Sequence, residues 1–118
     1  MQFAFFIITG ISLVLCTTSF ARDYVSTKGS STVFPFATII AERLGKNPSV
    51  KTPVVESGGS SVGKKGVCEG TGTQFVDIGN ASSRMKKQEL AFCQKNDVKV
   101  TEIKVGYDGI VVANSKKG

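Results

Sequence analysis

The chain has 118 residues, three cysteines, no histidine and a formal net charge of +6. Lacking histidine, it has no imidazole base for a hydrolytic triad and too few ligands for a structural zinc site. The excess of cations favours an anionic partner, but the basic residues are scattered without aromatic interleaving, which argues against nucleic acid.

Residues 1–21 carry no charged side chain and hold an apolar run over 3–15, followed by the small-x-small pattern Ser19-Phe20-Ala21. This reads as a secretory signal peptide, too short to span a membrane comfortably. Leu13-Val14-Leu15-Cys16 resembles a lipobox, but Leu15 is too large for the position before the cysteine, so cleavage is expected after Ala21. Residues 22–118 then form one small domain with a modest core. Cys68 and Cys93 are the two cysteines it keeps. In an exported chain such a pair is expected to be a disulfide, worth about 3.5 kcal/mol by loop-closure entropy.

Residues 24–28 predict a short strand ending at Gly29. A helix follows with Phe34, Ala37, Ile40, Ala41 and Leu44 on one face and Gly45 at its end. Pro35 sits in its first turn, where a missing N–H has no helical partner to lose. A second strand is expected over 50–56, with Pro53 favouring a sheet edge. One or two helical turns follow over 62–69, then a strand over 75–79 and a helix over 84–95. Residues 99–106 and 110–114 read as two further strands, forming a hairpin or one kinked strand around Tyr107-Asp108-Gly109.

This β-α-β-α-β-α-β order predicts an α/β fold with a mainly parallel sheet. Its three strand-to-helix junctions are "GSSTVFP", "SGGSS" and "NASSR". A helix cap needs one small hydroxyl residue, and each junction has more than one. Helix N-termini gathered at the strand C-terminal edge offer free N–H groups to an oxyanion. Ordinary caps are the alternative, and the recurrence at all three junctions favours a site.

Two motifs are declined. The stretch 58–64 matches the start of a phosphate-binding P-loop, but Lys65 stands where Ser or Thr must hold magnesium. Residues 59–63 fit G-x-S-x-G, yet Ser61 as a nucleophile would need a base that the chain does not offer.

Taken in order, "GSSTVFP", "ESGGSSVG", "VDIGNASSRMK" and "VGYDGIVVANSKKG" resemble the N-terminal part of the PstS family of periplasmic phosphate-binding proteins. The resemblance implies the first lobe of a type II periplasmic-binding-protein fold, incomplete, with residues 22–118 as its N-terminal part and the second lobe missing. It implies capture of inorganic phosphate by a monomer, without metal or cofactor, and delivery to a membrane-embedded ABC permease. Thr32 would give a hydroxyl and Val33 a backbone N–H, with Ser31 beside them. Ser60 would add a hydroxyl and an N–H at the second helix. Where the family often has a proton-accepting aspartate, this chain has Ser82, followed by Arg84. The cysteine segments "GVCEG" and "AFCQKN" resemble a disulfide-bearing branch of the family. Other readings are a receptor for sulfate, molybdate or tungstate, an exported scavenging or adhesive protein, and a secreted hydrolase using Ser61.

Overall fold

The computed structural model describes residues 21–114. The expected leader, including Cys16, lies outside the described residues except for Ala21. Six elements follow in strict alternation: β1 (Ser26–Gly29), α1 (Phe34–Gly45), β2 (Val54–Ser57), α2 (Ser60–Val67), β3 (Ile78–Asn80) and α3 (Lys87–Lys95).

The sheet is parallel throughout, in the order β2-β1-β3. Pro53 cannot donate to a ladder, so pairing starts one residue later, where Val54 N–H donates to Val25 O at 2.9 Å. β2 is an edge strand, as Pro53 led us to expect. Lys28 lies opposite Glu56 in the register and forms an ion pair with it at 2.9 Å. Arg22 anchors the entry to the sheet by bonding Asp77 Oδ2, Thr73 O and Phe75 O. Asp77 Oδ2 also accepts the N–H of Ser26.

α1 packs against β2, α2 against β1 and β3, and α3 against α2. α2 approaches the sheet at backbone distance because Gly63 has no side chain. A Cβ there would stand 2.5 Å from Lys28 O, 2.7 Å from Asn80 O and 2.8 Å from Gly29 Cα. Gly29, at φ 147°, takes a backbone conformation that side chains disfavour, and any Cβ would collide with Asn80 O. These glycines bring the C-terminal ends of β1 and β3 directly under the start of α2.

Cys68 and Cys93 form the expected disulfide between α2 and α3, with Cα atoms 4.3 Å apart. Both are fully buried, and with Val98 they form a small core packed by Val67, Met85, Phe92 and Val100. Asn96 caps this end of the lobe by donating from Nδ2 to Cys68 O at 2.7 Å.

Three expectations need correction. No strand forms over 99–106 or 110–114: apart from half-buried Val100 these residues are exposed, and they pair with neither β2 nor β3. Alternating apolar residues suit a strand, but a strand exists only where another lies beside it. The helix expected from residue 84 starts at Lys87, because residues 82–85 are held by the side chains of Ser60 and Lys64 on α2 and of Glu102 beyond α3. On the expected inner face of α1 only Ala41 is buried, while Ile40 and Leu44 remain exposed.

Candidate oxyanion site

The strand register places the three glycine- and serine-rich loops at one edge. Gly29 at the end of β1 is level with Ser57 of β2 and Asn80 of β3. Gly29 O accepts the N–H groups of both Gly58 and Gly59 at 2.9 Å, and Ser30 N–H donates to Asn80 O at 2.9 Å. The strand order reverses between β1 and β3, and open α/β sheets bind ligands beyond the strand ends at such a reversal.

At the first loop, buried Ser30 shapes the helix start. Its carbonyl accepts from Phe34 N–H at 2.9 Å, and its Oγ accepts from Val33 N–H at 3.4 Å. The Val33 N–H expected to face a ligand is therefore engaged, although by a long bond that an anion could displace. Among the described residues, the N–H groups of Ser31 and Thr32 form no hydrogen bond, and both side chains are exposed. The sequence pointed to the Thr32 hydroxyl and the Val33 N–H, with Ser31 beside them; the N–H groups left free at this loop are those of Ser31 and Thr32.

The second and third loops meet directly. Ser82 N–H donates to Ser60 Oγ at 3.0 Å, and the two hydroxyl oxygens lie 3.1 Å apart. Ser60 also begins α2, where the N–H groups of Ser60 and Ser61 form no hydrogen bond among the described residues, while Val62 N–H donates to Gly59 O at 3.1 Å. Arg84 is exposed, and among the described residues its guanidinium makes no hydrogen bond or ion pair. Expected site residues from separate loops thus share one sheet edge, with Ser60 and Ser82 in contact. Such an edge can offer hydroxyl and amide donors to an oxyanion, with a cation nearby.

At this edge Ser31, Thr32, Ser82 and Arg84 are exposed. One concavity lies between α2 and α3, with Ser61 in its lining, and another beside β1, β2 and α2.

Lys64 is the residue that sequence reasoning missed. The pair Lys64-Lys65 reads as solvated surface charge, yet Lys64 is only 5% exposed. Its ammonium donates to Arg84 O at 2.8 Å, Ser83 Oγ at 3.0 Å and Glu89 Oε2 at 3.2 Å. Glu89 Oε2 also accepts the N–H of Lys86 at 2.7 Å, one half of a capping box at the start of α3. That N–H, together with the Lys64 ammonium, holds the Glu89 carboxyl below the ordinary glutamate range against the opposing effect of desolvation. The available signal was spacing: Lys64 lies four residues after Ser60 and so shares its helix face.

Three parallel strands with their loops gathered at a strand-order reversal define a ligand-binding type of α/β lobe. Comparison with known proteins makes that class specific. The profile of the PBP superfamily domain matches residues 17–118, and the chain belongs to that superfamily. Protein SphX of Synechococcus elongatus is 35% identical over 95 residues, covering 80% of this chain and 27% of that protein. Protein SphX of a Synechocystis species is 35% identical over 112 residues, covering 94% of this chain and 31% of that protein. The chain therefore spans about a third or less of the curated relatives it matches. No solved structure matches it significantly.

Proposed function

We propose that this chain supplies one wall of a periplasmic receptor for inorganic phosphate, which hands its ligand to an ABC permease for import. Its role is capture and delivery rather than catalysis. Membership of the PBP superfamily supports a solute-binding role, and the PstS-like loop motifs support phosphate as the solute. Among the described residues no helix is long and apolar enough to cross a membrane. The observation that carries the reading is the meeting of Ser60 and Ser82 at the edge where α1 and α2 begin.

In this reading Thr32 and Ser60 give hydroxyls, the backbone of Ser31 to Val33 gives N–H groups, and Arg84 supplies positive charge. Ser82 stands in for a carboxylate acceptor. A hydroxyl both donates and accepts, so it discriminates a protonated from an unprotonated oxyanion less sharply than a carboxylate does. That keeps sulfate and molybdate as competitors.

Phosphate in water is strongly hydrated, and each charge-assisted bond contributes about 1.5–3 kcal/mol only when its donor is already in place. An open edge offers few such donors, so tight binding needs a second wall. The test is titration calorimetry with phosphate, sulfate and molybdate on two proteins. One is this chain; the other is a chimera in which it replaces the matched segment of the Synechococcus elongatus relative. Tight phosphate binding by the chimera and weak binding by the chain are expected. A chimera that binds none of the three anions overturns the reading, and a preference for sulfate changes the ligand.

A further inference from the structure

We propose that Lys64 is the positioning residue of this edge: its buried ammonium fastens the third loop so that Ser82 reaches Ser60. The inference rests on the oxyanion reading for its functional meaning, but its structural half can be tested without it.

Three observations converge. A lysine almost never loses its solvent unless its charge is matched and its donors are used, and Lys64 satisfies both conditions. An ammonium has three protons, and Lys64 has three acceptors: Ser83 Oγ, Arg84 O and Glu89 Oε2. Two of these belong to the residues immediately after Ser82, and the third opens α3. The fastening therefore acts on the loop itself rather than on the core.

The loop has few other ties. Ser82 N–H is bound to Ser60 Oγ, and Met85 N–H is bound to Glu102 Oε1 at 2.6 Å. Between those points Lys64 alone holds Ser83 and the Arg84 carbonyl among the described residues. Without it, residues 83 and 84 lose their side-chain anchor, and the Ser60–Ser82 contact must persist unsupported. The charge of Lys64 is neutralised by Glu89, so its contribution is to geometry, while Arg84 remains the outward-facing cation.

Removing one member of a buried pair leaves the other uncompensated, so two variants are needed. Lys64→Met removes the ammonium, and Lys64→Met with Glu89→Gln removes both charges. Lys64→Arg keeps the charge and donors and serves as the conservative rescue. Asn96→Ala, which breaks the Asn96–Cys68 bond just past the far end of α3, reports general destabilisation.

The readouts are amide hydrogen exchange by NMR in the full chain and titration with inorganic phosphate in the chimera that carries it. Both Met variants are expected to speed exchange at Ser82 at least tenfold relative to β1 and α1, and to weaken phosphate binding at least tenfold. Lys64→Arg is expected to recover part of both losses. Asn96→Ala is expected to leave the Ser82-to-β1 exchange ratio unchanged. Unchanged exchange at Ser82 in both Met variants overturns the proposal, as does acceleration that merely follows every other amide. If the unaltered chimera binds no phosphate while the selective change at Ser82 occurs, the oxyanion reading falls and the hold of Lys64 on the loop stands.

Discussion

Residues 26–98 and residues 101–114 both contain stretches rich in valine and isoleucine, yet they fold differently. In the first region each short strand is delivered beside another by a helical crossover, and the backbone groups find partners. In the second, Ile103, Val105, Ile110 and Val112 are 80–98% exposed, and no ladder forms. Glu102 touches the lobe through the Met85 N–H, and Lys104 lies over the Tyr107 ring, a contact within the segment itself. The contrast shows that β propensity here is a statement about available neighbours. It also predicts that stability resides almost wholly in the first region.

Breaking the disulfide should have the largest effect on that contrast. The bridge closes a loop across 25 positions and sits at the centre of a small core. Reduction should cost about 3.5 kcal/mol. Thermal melts with and without reductant, repeated on Cys68→Ser with Cys93→Ser, measure the loss. A melting temperature that ignores reductant would place the stability elsewhere.

Gly63→Ala should come next. The added methyl meets backbone on both β1 and β3, which cannot rotate away as a side chain can. A loss of about 3 kcal/mol is expected, at the upper end for overpacking. Urea unfolding reads it directly, and a change below about 0.5 kcal/mol would show that α2 can lift from the sheet freely.

Acid should act through Glu89. Its folded pKa lies below the ordinary value because Lys86 N–H and Lys64 donate to the charged carboxylate. Its stabilising contribution is therefore complete above the unfolded value, about 4.3, and is lost as pH falls through the lower folded value. Loop residues 82–84 should exchange faster across that window, and Glu89→Gln should flatten the dependence. A steeper loss between pH 5 and 7 would point to another group.

The smallest effect is expected where the second region is altered. Ile103→Ser and Val105→Ser remove exposed side chains and should each change stability by less than about 0.5 kcal/mol. A loss of more than about 1 kcal/mol in either would show that this stretch contributes packing to the lobe.

Local chemistry determined much of the protein from sequence alone. Gly and Ser clusters marked the ends of the strands, Gly45 ended α1, Pro53 marked an edge, and a pair of cysteines in a chain expected to be exported implied a bridge. These signals act within a few residues of themselves, so they survive without knowledge of the rest of the chain. Tertiary structure decided what depends on distant partners: whether residues 99–114 became strands, which face of α1 was covered, and where Lys64 went. A lysine beside another lysine looks solvated until three acceptors, separated from it by 19 to 25 positions, close around it. Burial of a charge is set by that enclosure; the spacing from Ser60 places Lys64 on the right helix face but does not supply the acceptors.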